Sequence, residues 1–398
     1  MTQPLASSAS FDIVVAGAGL AGRAFALAAA RSVAGLSIAL CGLGSAARPG
    51  LPAETDALDA RIYAITPGNA AFLDALGAWQ SIPAARVCPV YGMRVHGDDG
   101  QSAIEFDAYR AGAPELAWIV EDSQLHGALA AALQADGRVA ALPDLAAVEI
   151  GAKVCGRLND GTTLEARLLV GADGAESGVR RAAGIDVRVQ DYGQAAVVAN
   201  FDCERPHCNI ALQWFQGGPV LALLPLPGQR VSMVWSTEPE HADRLLALDS
   251  RELCAQVETA SKSALGTLSL IGQPRRFPLR RLHARQVVAP GVALIGDAAH
   301  VVHPLAGQGA NLGLQDARVL AEVLAARPPS RDPGDLGLLR QYERRRAEPA
   351  RLMETGVHGL HRLFSAPGRG AALLRNRGLN LVNRLPVIKG LLARQAMH

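Results

Sequence analysis

An α/β fold is predicted for this chain of 398 residues: a parallel sheet flanked by helices, an antiparallel sheet inserted late in the chain, and a helical C-terminal segment. Two observations carry the prediction. Short apolar strands alternate with helical spacing around glycine- and acid-rich turns near residues 17, 173 and 297, as repeated βαβ units require. Between the second and third turns, short strand-like runs are separated by Gly, Pro and polar residues, which marks an antiparallel sheet. Length alone suggests two or three domains.

The elements follow in order. Phe11 to Ala16 is a β-branched apolar run that enters the first glycine cluster, and Ala21 to Val33 reads as an alanine-rich helix. Leu36 to Leu40 returns as a second strand, which completes the start of a right-handed parallel unit. Ala70 to Trp79 has helical spacing with a stop at Gly77, and Gln124 to Leu133 is a further helix. Alternating short strands then lead to Leu168–Gly171. The inserted sheet is expected from Ala195 to Phe201, Ile210 to Phe215, Val220 to Leu224 and Val231 to Trp235. Val292 to Ile295 is again a buried strand, followed by a helix from Gly309 to Ala326. Pro328, Pro329, Pro333 and Gly334 read as a linker to the tail.

The glycine clusters carry the chemistry. Gly17, Gly19 and Gly22 follow a strand and open a helix: the first permits a tight turn, the second lets backbone approach a pyrophosphate, and the third lets helix and strand pack closely. The helix N-terminus offers its unpaired N–H groups and positive dipole end to the phosphates. The acid expected about twenty residues further on, at the ribose, is missing, since Cys41 and Gly42 stand there. Glu54, Asp56 and Asp59 are nearby acids that could compensate. Gly296-Asp297 closes a buried strand, so its carboxylate lies at the sheet's C-terminal edge, where ribityl hydroxyls can donate to it. Pro304 fixes the entering loop. Gly307, Gln308, Gly309, Ala310 and Asn311 then start a helix whose N–H groups can stabilise negative charge on a reduced isoalloxazine. Together with Asp173-Gly174, these clusters fit one extended cofactor, flavin adenine dinucleotide (FAD), gripped at three points. The fold class is thus a Rossmann-like FAD-binding domain with an inserted antiparallel β-sheet substrate domain and a C-terminal helical segment.

Composition narrows the class further. Apolar residues make up 49% and charged residues 19%, with no uninterrupted apolar run long enough to span a membrane. The polar first ten residues lack a secretory signal, so a cytoplasmic location is expected. Six scattered cysteines without paired spacing argue for reduced thiols, and Cys203, His207 and Cys208 lack the second ligand pair of a zinc site, so no metal is expected. The last 44 residues carry +7, while the remainder carries 32 basic against 37 acidic residues. Interleaved leucines there favour basic amphipathic helices touching the inner face of a membrane over a nucleic-acid arm. A terminal helical layer with a solvated basic face is the alternative.

The runs Asp173-Gly174-x-x-Ser177-x-x-Arg180 and Gly296-Asp297-Ala-Ala-His300 resemble those of flavin-dependent aromatic hydroxylases of the para-hydroxybenzoate hydroxylase type. Asp59-Ala-Arg61, Leu76-Gly77-Ala-Trp79, Gly218 to Pro225, His303 to Asp316 and Leu374 to Pro386 are similar, more narrowly, to the ubiquinone-biosynthesis ring hydroxylases. The resemblance implies that Arg61 and Gln124 contact FAD, that Asp173 binds it near the pyrophosphate and that Asp297 holds the ribityl chain, with Ser177 and Arg180 in support. It implies an FAD domain from residues 1–80, 116–185 and 280–330, a substrate domain from 81–115 and 186–279, and a basic helical region over 331–398. It also implies insertion of one atom of O₂ into the ring of a polyprenylated phenol or quinol through a flavin C4a-hydroperoxide. NAD(P)H or another donor would supply the electrons, and a ubiquinone-biosynthesis complex is a candidate partner. Gln213, Trp214, Phe215, Leu224 and Pro225 are expected to roof the ring site. His303, the titratable group nearest the expected flavin edge, either polarises a substrate hydroxyl or is held by loop packing. The alternatives are a hydroxylase of a soluble aromatic, a prenyl-chain reductase and a non-catalytic prenyl-binding scaffold.

Overall fold

The structure, a computed structural model, describes residues 8–43, 57–97, 102–151, 153–302 and 309–347. Its first strand, β1 (Ser8–Ala16), lies at the centre of a parallel sheet. On one side it pairs with β2 (Ile38–Cys41), which pairs with Val139–Leu142; on the other it pairs with Thr163–Gly171, which pairs with Val292–Leu294. The chain therefore builds outward from one side of β1 and returns on the other. The switch point, where open α/β sheets bind ligands, lies between Ala16 and Gly171. An antiparallel meander of Leu145–Ile150 and Val154–Leu158 joins the Thr163–Gly171 strand.

Helix α1 (Leu20–Ser32) buries Phe25 and Leu27 completely in the core it shares with the sheet and with the helices Asp122–Asp136 and Gly309–Ala325, which is worth about 1.5–3 kcal/mol for each such side chain. Its alanines keep it close. The helix Gly309–Ala325 crosses it where Ala21, Gly296 and Gly313 meet: a Cβ on Gly313 would lie 3.3 Å from both the Ala21 Cβ and the Gly296 Cα. Small residues at this crossing bring the third cluster down onto the first.

The second sheet has eight strands. Val187–Cys203 pairs antiparallel with Arg230–Thr237 and with Leu268–Ala284, while Val220–Leu226 and Ile210–Phe215 continue outward. The sheet is mixed rather than wholly antiparallel, because Gly92–His96 joins Ile210–Phe215 in parallel after arriving from a separate three-stranded sheet. The expected domain border at 280 falls inside the single strand Leu268–Ala284, which pairs with His300–Val301. Helices Pro239–Ala247 and Ser250–Ala260 cover the back face, the latter opened by a capping box of Asp249 and Glu252.

The expected linker is no free connection. Gly334 packs so tightly on the Arg167 carbonyl that no Cβ fits, its own carbonyl accepts from the Gly291 N–H at 3.0 Å, and Asp332 pairs with Arg167. The chain is helical again over 336–347, where Leu338, Leu339 and Tyr342 join the main core. This part of the region 331–398 thus packs with the parallel-sheet domain; the rest of the basic tail lies outside the described residues.

Candidate functional site

β1, β2 and Thr163–Gly171 end level with one another, Ala16 standing beside both Cys41 and Gly171, so their following loops share one edge. Gly17 has φ +106°, and a Cβ there would run into the Ala172 carbonyl; a Cβ on Gly22 would strike the Gly17 carbonyl oxygen. Close backbone packing demands both glycines. Gly19 caps α1 with no side chain bonded to the helix end, and no acid occupies its first turn. These N–H groups face the edge as an anion cradle.

Asp173 lies across from this cradle. Its Oδ2 accepts from the N–H groups of Gly178 at 2.7 Å and Val179 at 3.1 Å, while its Oδ1 is buried with no hydrogen-bond partner. An orphaned carboxylate oxygen is costly, and a bound hydroxyl or phosphate-linked ribose would satisfy it. Gly174, at φ +81°, turns the loop. Ser177 accepts from the Arg180 N–H at 2.9 Å, and the Arg180 guanidinium donates to the Ala298 and Ala175 carbonyls at 2.9 and 2.8 Å. Arg180 therefore ties the second cluster to the third.

In that third cluster, Gly296 takes φ +60° to turn the chain out of the sheet. Asp297 is closely surrounded by protein yet exposed, the combination found on the floor of a concavity. Desolvation pushes its carboxyl above the usual range, against the opposing pull of His300, Arg61 and Arg280. Arg61, just before the strand Ile62–Ile65 of the three-stranded sheet, stands over the Phe277 ring of the mixed sheet at 5.2 Å in a cation–π contact. Burial lowers the Arg61 pKa, but Tyr63, Asp122 and Asp297 together more than offset it. Gln124 is buried in the first turn of the helix Asp122–Asp136, whose Asp122 N–H donates to the Arg61 carbonyl at 3.0 Å. Arg61 is thus close enough to Asp297 to feel its charge, and Gln124 lies in the helix turn that begins beside the Arg61 carbonyl.

The expectation for Asn311 concerns its backbone N–H; its side chain is engaged within the protein. Its Oδ1 accepts from the Thr66 N–H at 3.0 Å and the Asn69 Nδ2 at 2.9 Å, and its Nδ2 donates to the Ala64 carbonyl at 2.7 Å. The side chain is a strut, and only backbone remains for a cofactor. Gly309 and Ala310 open the same helix. His303, Pro304 and Gly307 lie outside the described residues.

The expected roof is divided by strand alternation. Gln213, Trp214 and Phe215 are consecutive, so they cannot share a face. Trp214 belongs to the helix-covered back core and stacks on His96 at 5.3 Å, and Pro225, opposite Val231, shares that back face with Leu223. Phe215 packs with Val95, Ile104 and Val220 in a separate small cluster. Leu224 faces the three-stranded sheet and packs with Cys88, Ile119 and Leu226; Gln213, buried, is on the same face. Two residues of this face went unread in the sequence. Asn200 and Ser232 stand opposite each other, 4% and 0% exposed, with the Asn200 Oδ1 and Ser232 Oγ unpartnered, while the Asn200 Nδ2 donates to the Asp59 carbonyl at 3.0 Å. Two orphaned polar atoms beside an apolar wall had no sequence signal beyond a polar residue in an apolar strand.

A buried network also escaped the motif reading. Asp316 accepts from His300 Nε2 at 2.7 Å, from Arg346 Nε at 2.6 Å and from the Gly296 N–H at 3.0 Å. Burial drives the Asp316 carboxyl up, but His300 and Arg346 hold it below the usual range; burial pulls His300 down, but Asp316 more than offsets it. The network fixes the turn that carries Asp297. Arg346, thirty residues beyond its partner, offered no local pattern.

This site, with its cradle, orphaned Asp173 oxygen and Asp297 floor, fits FAD. A family model described as FAD binding domain matches residues 93–356. The chain is 35% identical to the ubiquinone hydroxylase UbiL of Rhodospirillum rubrum, covering 100% of this chain and 92% of that one. It is 33% identical to the 3-demethoxyubiquinol 3-hydroxylase of Escherichia coli, covering 95% and 96%. A crystal structure of PqsL, described as a probable FAD-dependent monooxygenase from Pseudomonas aeruginosa, superposes with a TM-score of 0.75 at 24% identity over 93% of this chain and 99% of that one, a likeness of fold. The chain belongs to the FAD-dependent monooxygenases, in the family that includes the ubiquinone-biosynthesis hydroxylases.

Proposed function

We propose that this chain hydroxylates the aromatic ring of a polyprenylated phenol or quinol in ubiquinone biosynthesis. The observation that carries this reading is end-to-end similarity, above 30% identity, to relatives named as ubiquinone hydroxylases. When bound, reduced FAD activates O₂ and supplies one oxygen atom to the ring. The chain's own groups do the rest. The N-terminal turn of α1 takes the pyrophosphate, Asp173 and Asp297 accept from the cofactor's hydroxyls, and Arg61 and Gln124 line its side. The face bearing Leu224 and Gln213 shields the ring from water. Asn200 Oδ1 and Ser232 Oγ give that face two polar atoms able to bond a ring oxygen, which would relieve their burial without partners.

NAD(P)H is the electron donor in this reading. Among the described residues no helix is long and apolar enough to cross a membrane. A greasy substrate gives the basic tail a purpose, contact with an anionic membrane surface or with partner enzymes of the pathway. Deleting the gene and identifying the accumulating precursor by mass spectrometry tests the function. A polyprenylated ring lacking one hydroxyl is expected; unchanged quinone levels would contradict the reading.

A further inference from the structure

In dinucleotide-binding sheets of this type, the ribose next to adenine is held by an acid at the tip of the second strand. Here that tip is Cys41 and Gly42, neither of which can accept as a carboxylate does. The neighbouring strand, Val139–Leu142, runs parallel to β2 with Leu142 beside Cys41, and the Gly42 N–H extends the ladder by donating to the Leu142 carbonyl at 3.1 Å. Pro143 and Asp144 then form a two-residue connection to the strand Leu145–Ile150. Asp144 is anchored there, its carbonyl accepting from the Asn159 N–H at 2.9 Å.

The position of its carboxylate is specific. A Cβ built on Gly42 would lie 2.7 Å from Asp144 Oδ1 and 3.7 Å from the Ala18 backbone nitrogen of the glycine cradle. Asp144 Oδ1 thus occupies the volume in which an acid at position 42 would begin its side chain. Gly42 is also at φ +88°, which disfavours any side chain. The same placement acts on the Cys41 thiol, which burial pushes up to about 12 with the Asp144 charge adding to the shift. Of the other acids near in sequence, Glu54 and Asp56 lie outside the described residues, and the Asp59 carboxylate accepts from the N–H groups of Arg61 and Ser123.

We propose that Asp144, from the neighbouring strand, supplies the carboxylate that binds the adenosine ribose hydroxyls of FAD, in place of the acid missing from the end of β2. Glycine at 42 and the acid at 144 are then one arrangement: the first vacates the volume that the second fills. The inference rests on FAD being the cofactor.

Flavin-free full-length protein, titrated with FAD, with FMN and with the 2′-deoxyadenosine analogue of FAD, tests it through dissociation constants. In the unaltered protein the analogue should bind about tenfold or more weakly than FAD, the loss expected of one charge-assisted hydrogen bond. Asp144→Ala should weaken FAD by a similar factor, bind FAD and its analogue equally, and leave FMN unchanged. The isosteric Asp144→Asn should follow it, with thermal unfolding of the flavin-free proteins as the check on folding. Unaltered FAD affinity in a folded Asp144→Asn, or an analogue penalty that persists in either variant, would overturn the proposal. Failure of the unaltered protein to bind FAD would instead overturn the cofactor assignment.

Discussion

Three buried side chains, His300, Asp316 and Arg346, form one charged network beneath the turn that carries Asp297. Removing one partner of a buried ion pair leaves a charge uncompensated, which costs about 3–5 kcal/mol. Asp316→Asn should lose stability of that order in denaturant unfolding, because Arg346 is buried with it. The pH dependence has a definite sign. A raised His300 pKa contributes stability that is complete below the unfolded value of 6.5 and is lost as pH rises through the folded value. A depressed Asp316 pKa contributes above 3.8, a contribution lost as pH falls through its lower folded value. His300→Gln should therefore cost more at about pH 6 than at about pH 9; an equal loss at both would show the imidazole uncharged in the folded protein. Ser232→Ala is expected to differ in kind. It removes an orphaned hydroxyl, so unfolding should be unchanged or slightly harder while KM for the aromatic substrate rises about tenfold. Neither residue set was legible as a working unit. Motifs report neighbours in sequence, whereas these groups meet only across packed helices and paired strands.

Elements at the cofactor edge were far more legible, and for a physical reason. A glycine needed for close backbone approach is visible as a glycine, and a strand that ends at a ligand is visible as an apolar run before it. The helix expected from Ala21 to Val33 is Leu20–Ser32, and that expected from Gly309 to Ala326 is Gly309–Ala325. The roof is less legible: the two-residue repeat of a strand puts Trp214 on the opposite face from Gln213 and Phe215, so the three cannot act together on one ring. The helices at 239–247 and 250–260 were not read at all, although Asp249-x-x-Glu252 signals the start of the second. Gly17→Ala tests the element that matters most. Its Cβ has no room against Ala172, so the loop must shift; purified protein should lose its flavin absorbance while remaining folded by circular dichroism. Retention of a full complement of FAD would contradict the cradle.

At the scale of the molecule, two sheets meet over one edge. The parallel sheet presents the cradle and Asp297, and the mixed sheet brings Phe277 against Arg61, while its face carrying Asn200, Ser232 and Leu224 turns toward the three-stranded sheet. Charge is uneven at this scale as well, and the basic tail is its main source. Replacing Arg375, Arg377 and Arg384 with glutamate should reduce co-sedimentation with anionic vesicles and lower quinone output in cells; no change in either would remove the tail from the account. The most direct measurement is a single turnover that needs no natural reductant. Flavin-loaded protein is reduced chemically, then mixed with ¹⁸O₂ and a polyprenylated phenol. One ¹⁸O atom in a new ring hydroxyl is the predicted result. Reoxidation of the flavin with hydrogen peroxide released and the ring unchanged, or a saturated prenyl chain without label, would contradict it.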